Sequence, residues 1–381
     1  MLGINLQLLI GPGVPLPASP AMMEALQECE VHHTDDLEAR SGFKLVFRDG
    51  RSGPQDTIDS PLVADPRLGA LSRVVLVAYF GLRPVVLMDG VVLEQRLQPG
   101  DRGTGSTLTL LGEDISVMMD FEEKVAEHTA MPRFATVGLI LAGYAQYGIT
   151  PMPLPSASDS IRLPTDGTNV QNMTDLAYIR TMARACGHVF YIDPGPLPMM
   201  SIGYFGPRQV MSLPQNPINV NMGPSSNARR FSVGYNAQRA TSVSGDILDR
   251  MSGQKVPVRD IPVSTLPMAS RPAALTQTTI VRSRLRDTQG MTIAEAMASA
   301  NAQARASSEV VQADGELDSI RYGGILKARG TVWVRGAGAT HDGLYYVKSV
   351  SHSIKRGEYT QGFSLQREGT GTTTPIVPPA I

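Results

Sequence analysis

Gly330-Thr331-Val332-Trp333-Val334-Arg335-Gly336, then Asp342-Gly343-Leu344-Tyr345-Tyr346-Val347-Lys348-Ser349-Val350-Ser351-His352-Ser353-Ile354, then Tyr359-Thr360-Gln361-Gly362-Phe363-Ser364-Leu365-Gln366-Arg367-Glu368: these stretches decide the fold class. In the last of them Tyr359, Phe363 and Leu365 fall on one face, and Thr360, Ser364 and Gln366 on the other. A period of two is what a half-buried antiparallel strand requires. Tyr322-Gly323-Gly324 reads as a turn, and Asp342-Gly343 and Arg356-Gly357 sit at chain reversals, where hairpins need residues that accept positive φ. Residues 317–369 therefore read as a compact β-run. Residues 370–381 are Thr- and Pro-rich, with too little apolar surface to fold alone, and are expected to form a flexible tail that reaches a partner.

Working outward, 381 residues predict two or three domains with real cores. Apolar residues make up 42% and charged residues 18%, with a formal net charge of -1. The chain reads as globular, and it lacks the basic excess of a nucleic-acid binder. Glycine (37) and proline (28) favour many turns and long connections. Cys29 and Cys186 fit no metal or redox spacing. They read as two reduced structural thiols, the alternative being a disulfide between them. No basic segment precedes the first apolar run, and the longest apolar run, residues 137–145, is too short to span a bilayer. The expectation is a protein made in the cytosol without stable membrane insertion.

The fold class expected is α+β, mainly β: two β-barrel domains with an inserted mixed α/β region and a flexible C-terminal tail. Residues 1–118 hold strand signals at 4–10, 28–34, 42–48, 74–80, 85–97, 106–111 and 114–119, with a short helix opened by Ser19-Pro20. Met88-Asp89-Gly90-Val91 reads as a hairpin turn between apolar flanks. Residues 119–224 form the mixed region. One helix is expected over 137–147, with Thr136 as N-cap and Gly148 past its end. A second, over 175–186, is capped by Thr174, stapled by Met173 and Tyr178, and ended by Gly187; a strand over 189–192 follows. Residues 225–369 return to β, with strands at 230–235, 240–244 and 278–286 and a Pro-containing connection over 245–277. They also hold a helix over 293–307, capped by the Thr292…Glu295 box. Two β-domains of similar size suggest an internal duplication.

Candidate chemistry is thin. His32, His33, Asp35 and Asp36 carry ligand chemistry, but on a strand His32 and Asp36 face away from His33 and Asp35. Glu122 and Glu123 are adjacent; on a helix they diverge and cannot flank one glycosidic bond. Gly103-Thr104-Gly105-Ser106 lacks the lysine of a phosphate loop. Asn172-Met173-Thr174 fits a glycosylation sequon, yet Thr174 is better used as a helix cap. No catalytic residue, metal site or cofactor is assigned. Arg282, Arg284 and Arg286 alternate with Val281, Ser283 and Leu285, which puts three arginines on one strand face. That face is either solvated or a surface for a neighbouring subunit or a tube.

The ordered series of segments resembles a known family. Thr174-Asp175-Leu176-Ala177-Tyr178-Ile179-Arg180-Thr181-Met182-Ala183-Arg184-Ala185-Cys186-Gly187-His188-Val189-Phe190-Tyr191-Ile192 is similar to the helix–Gly–strand element of late control D proteins. These are baseplate hub proteins of contractile phage tails, related to the hub part of type VI secretion spike (VgrG) proteins. Residues 136–150 resemble the preceding helix of that family. Asp342-Gly343-Leu344-Tyr345-Tyr346-Val347, with Val350-Ser351-His352 and Tyr359, resembles its closing turn and strands, and residues 243–256, with Gly245-Asp246 and Gly253-Gln254-Lys255, the opening of its second barrel.

The resemblance implies a non-enzymatic central hub with two tail-tube-like barrels per chain. It would be a homotrimer with pseudo-six-fold symmetry that joins a hexameric tail tube, or tube initiator, to a trimeric spike. Baseplate wedge proteins, and a tape measure protein in the lumen, are the further partners it implies, and the virion tail baseplate or an equivalent contractile particle is the implied location. The sequence shows no oligonucleotide-binding-type barrel, lysozyme-like segment or β-helical repeat after the second barrel, so the spike is expected as a separate protein. By the same analogy Gly369, Thr370, Thr372, Pro375, Ile376 and Pro378 are candidate spike contacts, and Arg282, Arg284 and Arg286 candidate subunit or tube contacts. The alternatives are a hub that also hydrolyses peptidoglycan, and an unrelated β-rich binding module.

Overall fold

Gly357 shapes the last turn. Its φ is +79°, and with Arg356 it forms a two-residue hairpin that sets Lys355 opposite Glu358. A residue without Cβ takes that conformation at little cost. The strands it joins, Gly343–Lys355 and Glu358–Arg367, belong to a 13-stranded sheet in this computed structural model. The structure describes residues 4–49, 62–81, 83–99, 106–156, 159, 169–210, 212–248, 253–260, 268–277, 281–285 and 291–373.

The chain is mostly β, built from large antiparallel sheets. Twelve strands matter here. In the first half they are β1 (Ile4–Gly11), β2 (Leu26–Thr34), β3 (Gly42–Asp49), β4 (Arg73–Phe80), β5 (Arg83–Gln98) and β6 (Ser106–Asp114). In the second half they are β7 (Gln215–Asn219), β8 (Ala228–Tyr235), β9 (Val311–Asp318), β10 (Thr331–Arg335), β11 (Gly343–Lys355) and β12 (Glu358–Arg367). The spatial order is β2-β3-β6-β5-β4-β1 in one half and β8-β9-β12-β11-β10-β7 in the other. Those are the same order. No pairing among the described residues closes either half into a barrel.

The likeness extends to irregularities. A bulge lies between Val92 and Glu94 where β5 meets β6, and another between Val347 and Ser349 where β11 meets β12. A second pair lies between Leu26 and Glu28 and between Ala228 and Arg230. Leu71 and Arg329, just before β4 and β10, both have positive φ (62° and 68°). Their N–H groups donate to the carbonyls of Val92 and Val347 respectively. One difference stands out: β1 runs antiparallel to β4, whereas β7 runs parallel to β10. Each half has its own apolar core. Leu8, Ile10, Leu45, Phe47, Leu76 and Leu110 centre the first; Ile218, Leu317, Val332, Tyr345, Val350 and Leu365 centre the second. Fully burying side chains of this size stabilises by about 1.5–3 kcal/mol each.

Two insertions decorate this frame. Between β6 and β7 lie the Arg133–Ala142 and Asp175–Cys186 helices, a three-stranded sheet (Ile149–Pro153, Ser201–Gly206, Val189–Pro194) and a ribbon of Glu123–His128 with Asn169–Thr174. Between β8 and β9 lie Thr241–Leu248, Lys255–Arg259, Val281–Arg284 and the Ile293–Ser307 helix, with their own small core. The insertions meet where Arg133 pairs with Glu295 at 2.7 Å and where Gly187 faces Ala302. A Cβ on Gly187 would lie 2.4 Å from that of Ala302, and its φ of +67° ends the 175–186 helix as expected. Thr174 caps that helix by accepting from the Ala177 N–H, and the Thr292…Glu295 box forms in full.

Several expectations need correction. Met88-Asp89-Gly90-Val91 is no turn; it runs through the middle of β5. Gly90 is there because a Cβ would sit 2.2 Å from the Glu113 carbonyl oxygen, where β6 crosses close. Gly90→Ala should lower unfolding stability by about 3 kcal/mol, the upper end for forced overpacking, as read from urea midpoints at unchanged slope. Residues 115–119 form a 3-10 turn and not a strand, since the Asp114 carboxylate accepts the Ser116 N–H. The first mixed-region helix starts at Arg133, four residues early, and stops at Ala142; Gly148 instead ends a separate 3-10 turn. Glu123 opens a strand and Glu122 immediately precedes it, so neither lies on a helix. The 245–277 connection contains strand residues at both ends. Gln215–Asn219 already belongs to the second half's sheet, ahead of residue 225. Thr370 is not loose: it pairs with Arg271, and the N–H groups of Gly371 and Thr372 donate to Thr340 and Ala339.

Candidate assembly surface

The two halves are one sheet. Residues 349–355 of β11 pair antiparallel with residues 28–34 of β2, on the edge whose earlier part is occupied by β10. β11 therefore serves both halves. At this seam His33 and His352 lie buried, their rings edge-on at 6.3 Å. The His33 Nε2 sits 2.6 Å from the Leu87 carbonyl, to which it donates, and the Tyr359 hydroxyl donates to His352 Nδ1 at 2.9 Å. Burial holds both imidazoles down at about 3, so they are neutral packing groups. The seam is edged by an ion pair of Lys355 with Glu28 at 2.7 Å.

Four arginines, three of them buried and Arg208 partly so, pin the parts together. Arg329 donates to the Thr34 carbonyl and to Ser41 Oγ in the first half, pairs with Asp193 of the first insertion at 2.6 Å, and stacks 4.1 Å over Tyr191. Arg208 pairs with Asp35 of the first half at 2.8 Å and with Glu309 beside β9, over the ring of Tyr346. Burial raises the Glu309 carboxyl, opposed by Arg208; the Arg208 guanidinium is itself held above its ordinary value by Glu309 and Asp35 against desolvation. Arg73 grips Asp89 through two hydrogen bonds and also reaches the Tyr147 carbonyl. Arg367, fully buried, donates to the carbonyls of Gly369, Asp342 and Thr340 and so ties down the end of β12. Such charges are tolerated inside only when paired and hydrogen-bonded.

One face of the sheet turns away from both cores and stays polar across the seam. A groove of about 430 Å³ lies on it, lined by Arg230, Ser232, Asp314, Ser349, Ser351 and Ser364 among others. Besides the outer edges of β1 and β7, the sheet leaves two further edges without a strand partner among the described residues: β8, at one end, and residues 94–98 of β5 on the side away from β6. Residues 94–98 are exposed.

The residues singled out from sequence fall as follows. Arg282 and Arg284 are exposed on the Val281–Arg284 strand; Arg286 lies outside the described residues. Gly369 and Thr370 pair with Pro272 and Arg271, and Thr372 is bonded to Ala339; Pro375, Ile376 and Pro378 lie outside the described residues. His33 and Asp35 are buried in different networks, and no metal-binding group occurs among the described residues. Cys29 and Cys186 are both buried and are not joined in a disulfide, and burial pushes the Cys29 thiol up to about 12. Residues 103–105 lie outside the described residues. No helix is long and apolar enough to cross a membrane among the described residues. Sequence reading missed the buried arginines and the seam. Arg329, between Ala328 and Gly330, looks like any solvated arginine; only its positive φ, a tertiary fact, marks it.

No family model matches the sequence, and no curated protein matches it. Solved structures do match. A tail protein from Neisseria meningitidis MC58 superimposes with a TM-score of 0.63 at 13% identity, over 97% of this chain and 98% of that one. The fold is that of a tail protein. The 43 kDa tail protein of prophage MuSo2 from Shewanella oneidensis gives 0.63 at 10% identity, over 96% and 99%. The E. coli c3393 protein, described as a type VI secretion component with structural similarity to the T4 tail proteins gp27 and gp5, gives 0.53 at 11% identity, over 99% and 80%. The tail-protein fold thus accounts for nearly the whole chain, insertions included.

Proposed function

We propose that this chain is a structural hub protein of a phage tail or related contractile injection machine, without enzymatic activity. Three copies would present six similar halves around an axis, a pseudo-six-fold face for a hexameric tube or tube initiator and a three-fold face for a trimeric spike. The observation that carries this reading is the repeated strand order of the two halves, fused through β11 and β2 into one sheet. The tail-protein fold, matched over nearly the full length of two solved tail proteins, supports it. The buried arginines suit the task, because a part that transmits thrust must not hinge between its halves. The polar face would line the channel, where a tape measure protein could pass, and wedge proteins would bind outside. The baseplate is the proposed location. The residues after Gly369 are the proposed approach to the spike, and the face of Arg282 and Arg284 a proposed contact for a subunit or the tube.

Light scattering on the purified protein, alone and with the candidate spike, tests the reading. A mass of three chains, alone or on adding spike, is expected. A monomer in both conditions would overturn it.

A further inference from the structure

The inner seam has an outer counterpart that the single chain leaves empty. The paired bulges align the two halves residue by residue: Leu93 of β5 answers to Lys348 of β11, and Gln27 before the β3 pairing answers to Arg229 before the β9 pairing. On that alignment residues 94–98 correspond to 349–353, and residues 232–236 correspond to 30–34. Within the chain, 349–353 pair with 30–34. Residues 94–98 and β8 both lack a strand partner among the described residues and lie at distant places in the same sheet, so one chain cannot join them to each other.

We propose that residues 94–98 of one copy pair antiparallel with residues 232–236 of the next copy, in the register of the internal seam. This rests on the hub reading and adds which strands form the junction. Glu94 then lies opposite Asn236, Gln95 opposite Tyr235, Arg96 opposite Gly234, Leu97 opposite Val233, and Gln98 opposite Ser232. The junction is head-to-tail, so it closes into a ring only when the turn per half divides a full circle, and six halves make three chains.

Three independent features support this surface. First, residues 94–98 and β8 each present a row of unpaired backbone groups without a proline, and the charges of Glu94 and Arg96 neutralise each other in an ion pair. Second, the apolar side chains left in water sit where the junction would cover them: Leu97 is 44% exposed and Tyr235 45%. Third, Leu71 is 54% exposed in a positive-φ conformation at the position of Arg329. Arg329 is buried because the seam covers it and gives it the Thr34 carbonyl. Leu71 has the same backbone hydrogen bonds on its own side and lacks only the incoming strand. Its apolar side chain fits a junction that buries it without a charge to satisfy.

The test is cross-linking of the full chain under mild oxidation. Gln98→Cys and Ser232→Cys, both exposed positions, are made in separate chains and mixed; Leu97→Cys with Val233→Cys gives the neighbouring register pair, and Gln98→Cys with Gly234→Cys a pair displaced by two residues. Covalent species between chains are expected for the registered pairs and not for the displaced one. Leu97→Glu is expected to abolish the oligomer while leaving the far-ultraviolet circular dichroism of the chain unchanged. A three-chain mass with no cross-link at either registered pair would overturn the junction and leave the hub reading standing. A monomer with and without spike would overturn both.

Discussion

Arg208→Met lowers the free energy of unfolding by about 3–5 kcal/mol, the range for removing one partner of a buried ion pair. The Asp35 side chain has 0% exposure, so it cannot rehydrate when the guanidinium is lost, while Glu309, at 16%, keeps some access to water. The effect is expected to exceed that of an exposed pair such as Arg96 with Glu94, where water screens the charges. Urea unfolding of each variant measures it. A triple replacement, Arg208→Met with Asp35→Asn and Glu309→Gln, should recover much of the loss, because no buried charge is then left alone. A loss below about 1 kcal/mol for Arg208→Met would mean that Asp35 reaches water and that the latch does not bind the halves together.

The second large effect is with pH. His33 and His352 titrate at about 3 in the folded chain against an ordinary 6.5. A lowered folded value means that the unfolded chain binds protons first. The stability tied to these groups is therefore complete above pH 6.5 and is lost as pH falls toward 3. Each group accounts for on the order of 4 kcal/mol over that window. The residues facing the pair are His32, Tyr359 and the Leu87 carbonyl, with Arg329 further disfavouring the charged form of His33. Midpoints of thermal unfolding measured from pH 7 to pH 4 should fall steeply. In His352→Leu with Tyr359→Phe, which removes donor and acceptor together, the slope should drop by about half. An unchanged slope would show that carboxylates elsewhere control acid unfolding.

Both effects lie at positions that the sequence marks only faintly. His352 is legible as a strand residue of alternating pattern, but its burial against His33 is not. The local signals were reliable where the chain closes its own hydrogen bonds. Thr174 and Gly187 bound their helix, Thr292 and Glu295 form their box, and Arg356-Gly357 makes its hairpin. Each needs only neighbours within a few residues. Asp89-Gly90 has the composition of a turn, yet the chain runs straight through it. The reason is a carbonyl of Glu113 passing close enough that only glycine fits. A glycine required by a strand crossing and one required by a turn look alike in one dimension.

The mainly β class, the two strand-rich halves and the mixed insertion between them were thus set by the sequence itself, through periods of two, capping residues and turn residues. The tertiary structure alone decided that β11 joins β2, that Arg73, Arg329 and Arg367 are buried, that Arg208 meets Asp35 and Glu309, and that residues 94–98 and 232–236 remain as edges. Those outcomes depend on which strand a backbone edge meets and on which charge a guanidinium reaches. Backbone N–H and C=O groups are the same at every position, so an edge carries almost no sequence-specific mark of its partner until the bulges and the packed cores fix the register.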